Sequence, residues 1–195
     1  MLDIQLIRQR IVIDFDYYEG KNAILFSGGV ESTLLAYIFH NHPNVELFLL
    51  DRINNPIPKV KILGQKMKEL LDKELHYTLL PISEGPNHLD NGKARKILEQ
   101  NHNYIISGWN QYPEDTNIRP KILYKPKYNG KVKYPLAHLQ KHQTILAYYE
   151  LGIDCLLPYT HSCGYAEVQP CGICFNCRER IWAYKKLNMK PDLGI

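Results

Sequence analysis

The chain has 195 residues and a net charge of +4, with 45% hydrophobic and 23% charged residues. This is the composition of a water-soluble globular protein, most simply one domain, with enough chain to bury a sizeable core. The mild positive charge permits nucleic acid as a partner without arguing for it. No apolar run reaches membrane-spanning length, and the N-terminal MLDIQLIRQR lacks a signal-peptide apolar segment. A cytoplasmic chain with no membrane partner is expected. In that reducing setting the five cysteines suggest a metal or catalysis before disulfides.

Taken in order, the β-branched stretch from Ile4 to Phe15 predicts one or two strands. Ala23-Ile24-Leu25-Phe26 is a short apolar run of the kind buried on both faces of a sheet. Leu34, Leu35, Ile38 and Phe39 follow at helical spacing. Val45 to Leu50 is a second strand ending at Asp51. Asn54 to Pro58 is a turn, and Val60, Leu63, Met67, Leu70 and Leu71 form the stripe of a second helix. His76 to Ile82 is a third strand, Asn91 to Asn101 a helix, and Tyr104 to Gly108 a fourth strand. This α/β alternation implies a parallel twisted sheet with helices on both faces. Ligands of such sheets bind at the carboxyl ends of the strands. That edge would hold Ser27-Gly28-Gly29, Asp51 and Ser107-Gly108. Residues 109–134 are irregular, and Tyr128-Asn129-Gly130-Lys131 has the Asn-Gly of a hairpin turn. Lys121, Lys125, Lys127, Lys131 and Lys133, interleaved with tyrosines, suit a solvated hairpin or contact with RNA or phosphate; the solvated hairpin is the expectation. Leu136 to Leu151 reads as a helix and Ile153 to Leu157 as a last short strand.

The turn after the Ala23 strand is Ser27-Gly28-Gly29-Val30-Glu31-Ser32. Glycine permits the sharp bend, and the free N–H groups and dipole of the new helix favour an anion. The mouth therefore suits phosphate, with Ser27, Ser32 and Thr33 as hydroxyl donors; an ordinary tight turn is the alternative. Glu31 suits a helix N-terminus but would repel a phosphate unless a metal or a lysine intervened.

Cys163, Cys171, Cys174 and Cys177 carry the strongest chemical signal, two overlapping CxxC steps with a fourth cysteine upstream. Four thiolates can close a tetrahedral site, for which zinc is the expected metal; an iron–sulfur cluster or a catalytic cysteine are the alternatives. Gly164 and Gly172 permit turns that bring amides toward the sulfurs. Arg178 and Arg180, on a predicted helix, could offset thiolate charge or reach an anionic ligand. His161 is the nearest substitute ligand, with a neighbouring or substrate-facing role expected instead. Cys155, beside Leu156 and Leu157, reads as a core residue.

Ser27 to Ser32 resembles the SGGxDS signature of the PP-loop ATP pyrophosphatases. The C-terminal half is similar to the 7-cyano-7-deazaguanine synthases. Pro135-Leu136, Lys141, Glu150-Leu151-Gly152-Ile153-Asp154, Ser162-Cys163 and Cys171-Gly172-Ile173-Cys174-Phe175-Asn176-Cys177-Arg178-Glu179-Arg180 fall in that family's order. The resemblance runs from residue 23 to 180. It implies an adenine nucleotide alpha-hydrolase-like fold, with a nucleotide-binding domain at 1–157 and a zinc-binding region and helix at 158–195 packed on it. It implies an ATP-dependent C–N ligase with ATP, Mg2+ and Zn2+ as cofactors. Such a ligase takes 7-carboxy-7-deazaguanine and ammonia through an acyl-adenylate to the amide and then the nitrile, for queuosine or related deazapurines. A homodimer is left open.

By resemblance, Ser27, Gly28, Gly29, Val30, Glu31 and Ser32 hold the nucleotide. Lys141, with Glu31 beside it in the catalytic set, neutralises charge developing on the phosphates. Cys163, Cys171, Cys174 and Cys177 hold zinc and support the substrate pocket. Trp109, Tyr112 and Phe175 are candidates for a flat apolar face there, with core packing the expectation for each. The family's loop has Asp where this chain has Glu31, which moves the carboxylate one methylene outward. Asp51 to Pro56 does not align with the family, and Trp109 to Asp115 echoes its Asp-rich loop only loosely. Two other functions fit the same residues: a PP-loop enzyme adenylating another substrate such as tRNA, and a catalytically silent nucleotide-binding relative.

Overall fold

The computed structural model describes residues 2–5, 12–15, 20–51, 57–71, 76–81, 95–120, 130–164 and 169–194. Strands β1 (Leu2–Gln5) and β2 (Val12–Phe15) form an antiparallel pair, with Ile4 opposite Ile13. The main sheet contains β3 (Asn22–Leu25), β4 (Val45–Asp51), β5 (Tyr77–Pro81), β6 (Tyr104–Ile106) and β7 (Val132–Lys133). Its order is β5-β4-β3-β6-β7, and every pairing is parallel. The helices are α1 (Val30–Phe39), α2 (Ile57–Leu71), α3 (residues 95–101), α4 (Lys141–Glu150) and α5 (Phe175–Lys186).

Side-chain alternation explains why both faces of the sheet are covered. Ile24, Leu47, Leu49 and Ile106 join one apolar cluster with Leu34 and Leu35 of α1, Val60 and Leu63 of α2, Tyr148 of α4 and Tyr184 of α5. Their neighbours Ala23, Phe48 and Ile105 point the other way and meet Leu98 of α3 with Val132 and Tyr134. Successive strands step from β3 to β4 to β5 on one side, whereas β6 and β7 lie on the other. The loops leaving β3 and β6 therefore diverge at a switch in strand order, and a crevice opens between them.

Two predicted elements differ from the observed ones. Residues 153–157 are not a strand: Asp154–Tyr159 is a 3-10 helix, with Leu156 and Leu157 buried and Cys155 exposed rather than in the core. The cause is the end of α4. Gly152 takes φ +68, and Ile153 N–H donates to Tyr148 C=O at 2.9 Å while Gly152 N–H donates to Tyr149 C=O at 3.2 Å. These paired bonds reverse the chain, which then coils tightly beneath α2 and α4 instead of extending. The helix expected from Leu136 begins only at Lys141, because Gln140 is extended and Gln111 N–H donates to Leu139 C=O at 2.7 Å. The hairpin at Tyr128 lies largely outside the described residues. Within them, β7 continues the parallel sheet, Lys131 Nζ donates to Glu99 C=O at 2.8 Å, and Lys133 Nζ stands 4.7 Å from the Tyr104 ring centre.

Candidate active site and cysteine centre

The 27–32 loop closes on itself through Ser32. Ser27 N–H donates to Ser32 Oγ at 3.2 Å, the two hydroxyls lie 3.1 Å apart, and Ser32 Oγ donates to Gly29 C=O at 3.2 Å. Gly28 holds φ +72, so the bend falls in the left-handed region that glycine enters without Cβ strain. Gly29 is the extended cap from which α1 starts, and its C=O accepts Thr33 N–H at 3.0 Å. Gly28 C=O accepts His161 N–H at 2.8 Å, which ties the segment before Cys163 to the loop. On the other side the chain leaving β6 passes very close. A Cβ on Gly108 would stand 2.7 Å from Glu31 Cβ and 2.9 Å from Ser32 N. The loop is thus clamped between the β6 exit and the Thr160–Cys163 segment.

Ser27, Gly29 and Glu31 line a cavity of about 390 Å3, together with Gly108, Trp109, Asn110 and Tyr112 from the β6 exit and Lys141, His161, Phe175 and Glu179. That volume lies within the usual range for a small-molecule site. Gly28, Val30 and Ser32 do not line it. Gly28 and Ser32 shape the loop, and Val30 is fully buried, its C=O accepting the Tyr148 hydroxyl at 2.5 Å. Thr33 is fully buried too. Trp109, Tyr112 and Phe175 stand on the cavity wall rather than wholly in the core. Trp109 meets Tyr112 edge to face with ring centres 6.0 Å apart, and Tyr112 meets Phe175 likewise at 5.7 Å. Trp109 also packs against the smaller apolar cluster.

The lysine that Glu31 requires is Lys141. It is the first residue of α4 and is 5% exposed; its Nζ donates to Glu31 Oε1 and lies 3.4 Å from Glu179 Oε2. Burial opposes the charge on Lys141, but Glu31 and then Glu179 outweigh it and hold its pKa above the ordinary lysine value. Burial also pushes the Glu179 carboxyl up to about 7, against the pull of Lys141. Two acids from two different helices thus share one cation at the mouth of the loop. Glu179 lines the cavity beside Lys141, a placement the sequence did not reveal, because nothing local in Cys177-Arg178-Glu179-Arg180 signals a partner on α4.

The four cysteine sulfurs all lie within 4.8 Å of one another. A tetrahedral zinc with Zn–S bonds of about 2.3 Å spaces its sulfurs about 3.8 Å apart, so the cluster has the dimensions and the soft donors of a four-thiolate metal site. Backbone amides point at the sulfurs in sequence: Cys171 N–H to Cys163 Sγ at 3.4 Å, Cys174 N–H to Cys171 Sγ at 3.3 Å, and Cys177 N–H to Cys174 Sγ at 3.4 Å. The last bond caps α5, with Cys174 as the cap residue. Neither arginine serves the sulfurs by a hydrogen bond. Arg178 donates to Asn117 C=O at 3.4 Å. Arg180 is fully buried and its guanidinium donates to Asp192 C=O at 2.6 Å, Leu157 C=O at 2.7 Å, Thr160 Oγ1 at 2.8 Å, Ser162 Oγ at 3.1 Å and Thr160 C=O at 3.2 Å. It straps the C-terminal tail and the segment before Cys163 to α5. His161 lines the cavity and is not one of the clustered ligands. No helix among the described residues is long and apolar enough to cross a membrane.

Residues 116–188 match the family model described as queuosine biosynthesis protein QueC. The chain is 35% identical over 68 residues to a 7-cyano-7-deazaguanine synthase of Campylobacter hominis, and 36% identical over 69 residues to one of a Nitratiruptor species. A Sulfurovum relative of the same name is 36% identical over 70 residues. These matches cover 35% to 36% of this chain and 30% to 31% of each relative, so the matched stretch spans less than a third of their length. The matched family segment carries Lys141, all four clustered cysteines and Glu179. Over residues 116–188, the chain is similar to the family described as queuosine biosynthesis protein QueC.

Proposed function

We propose that the protein is an ATP-dependent ligase that converts 7-carboxy-7-deazaguanine and ammonia to 7-cyano-7-deazaguanine through an acyl-adenylate, on the route to queuosine or related deazapurines. One observation carries this reading: the glycine loop and the helix opened by the cysteine centre face one cavity. Ser27, Gly29 and Glu31 enter it from the loop, and Phe175 and Glu179 from α5. The division into a nucleotide-binding part (1–157) and a cysteine-bearing part (158–195) belongs to the same proposal, with the two parts serving one site.

The chemistry follows from what a carboxylate lacks. Its oxygen is a poor leaving group until it attacks the α-phosphorus of ATP and becomes part of AMP, releasing pyrophosphate. Loop N–H groups at Gly29 and the start of α1 suit the phosphates. Lys141 offsets charge that builds on them, and its pairing with Glu31 keeps that carboxylate from repelling the nucleotide. Magnesium, when bound at the phosphates, would supply further positive charge for the pyrophosphate group. The Trp109, Tyr112 and Phe175 rings offer flat faces to a deazapurine. Ammonia then attacks the activated carbonyl, the new C–N bond forms as AMP leaves, and a second ATP-driven activation of the amide oxygen yields the nitrile. Cys163, Cys171, Cys174 and Cys177 hold zinc, which fixes the start of α5 and with it the Phe175 wall.

The test is a reaction of purified protein with ATP, magnesium, ammonium and 7-carboxy-7-deazaguanine, read by mass spectrometry. Amide or nitrile appearing together with AMP is the expected result, and Lys141→Ala should lower it about a hundredfold or more. Unchanged acid and intact ATP from folded, metal-loaded protein would refute the proposal.

A further inference from the structure

We propose that Glu179 is a positioning residue for Lys141, through which the cysteine centre sets the place of the lysine at the nucleotide loop. The inference rests on the reading of Lys141 as the lysine of that site. Three separately encoded pieces meet here. Glu31 belongs to the loop and α1, Lys141 opens α4, and Glu179 lies in the first turns of α5. Glu179 is 3% exposed, and its carboxylate stands 3.4 Å from Lys141 Nζ. Its helix begins at the cysteine cluster, where Cys174 caps α5 and Cys177 stands one turn inside it. Glu179 is two residues beyond Cys177, so a shift of that turn moves the Glu179 carboxylate with it.

The arrangement explains why one lysine carries two acids. A long, flexible lysine side chain held only by Glu31 would follow Glu31 wherever that side chain goes, and of the two acids Glu31 has the more exposed side chain, at 12% against 4% for the Glu179 side chain alone. Glu179, fixed on a helix turn, gives the ammonium a second anchor that does not move with the loop. Removing one carboxylate from a buried ion pair leaves its partner less tightly held, and hydrogen bonds to charged groups are the stronger kind.

The proposal is tested without substrate. Acetic anhydride is applied in brief pulses to the metal-loaded protein, and acetylation of Lys141 is followed by peptide mass spectrometry relative to exposed Lys185. Lys141 should be protected in the native protein. Glu179→Gln, which keeps the shape and loses the charge, should raise its labelling about tenfold. Glu179→Asp, which keeps the charge but withdraws it, should give an intermediate rate, so that one variant's failure to fold leaves the other informative. Slow removal of metal by a chelator should raise Lys141 labelling in the native sequence and add little in Glu179→Gln, since both act on the same contact. In the product assay, Glu179→Gln should lower kcat more than it raises KM for ATP. Unchanged labelling in a variant with a native melting temperature would overturn the proposal. If instead labelling responds but no product forms with the native protein, the positioning stands and the assigned reaction fails.

Discussion

Replacing Gly108 with alanine probes the clamp on the nucleotide loop with a single methyl group. The added Cβ would stand 2.7 Å from Glu31 Cβ, 2.9 Å from Ser32 N and 3.1 Å from the Glu31 carbonyl carbon. Carbon atoms rest about 3.5–4.0 Å apart, so loop and strand exit must separate by about 1 Å. Two of the three opposing atoms are backbone, which leaves no flexible side-chain end to swing aside. Overpacking of this kind costs about 1–3 kcal/mol, which for a chain of this size lowers Tm by roughly 2–12 °C. The same displacement moves Glu31 and the loop amides relative to Lys141, and about 1 Å of misplacement reduces turnover by about a hundredfold. Differential scanning calorimetry reads the first effect and release of AMP the second. A Gly108→Ala protein that melts within about 1 °C of the native one and turns over within about twofold would refute the clamp.

Arg180→Lys should destabilise the fold strongly, because the guanidinium makes five hydrogen bonds in a fully buried place. An ammonium has three donors, so at least two acceptors lose their partner, at a cost of about 2–5 kcal/mol by urea unfolding. Cys177→Ser should reduce bound zinc well below one per chain after dialysis against a chelator, measured by elemental analysis, and should make the remaining clustered thiols reactive. Stoichiometric metal of native affinity would contradict the four-thiolate site. His142 packs edge to face on Trp182, 5.3 Å between ring centres, and burial followed by Lys186 holds its pKa below the ordinary histidine value. The unfolded chain therefore binds this proton first. His142 should contribute stability above pH of about 6.5, and that contribution should be lost as pH falls through its lower folded pKa. Melting curves between neutral and mildly acid pH should show less acid sensitivity in His142→Phe.

The parallel sheet was legible because its strands announce themselves by burial on two faces. Val45 to Leu50 reads almost continuously apolar, and the structure sends Leu47 and Leu49 to one face and Phe48 to the other. The glycine loop and the four cysteines were legible because each is local: a strand, a bend and a cap in one case, CxxC spacing in the other. What escaped the sequence was set by contacts between distant parts. Ile153 to Leu157 has strand-like composition, but the reversal at Gly152 closes on Tyr148 and turns it into a 3-10 helix. Arg180 looks like a charge for the thiolates, yet the acceptors that claim it come from residues 157–162 and 192. The neutralising lysine that Glu31 demands was visible as a need, and Lys141 was visible as a family residue. That the two meet, with Glu179 on the far side, depends on the packing of α1, α4 and α5.

The most direct measurement is pyrophosphate release from ATP by the metal-loaded protein, with and without 7-carboxy-7-deazaguanine and with no ammonium present. If the loop and the cysteine-bearing helix build one adenylating site, pyrophosphate appears only when the acid is added, to about one equivalent per site before the reaction stalls. Folded protein that releases none, or that releases it equally without the acid, would show that the cavity does not couple nucleotide cleavage to this carboxylate.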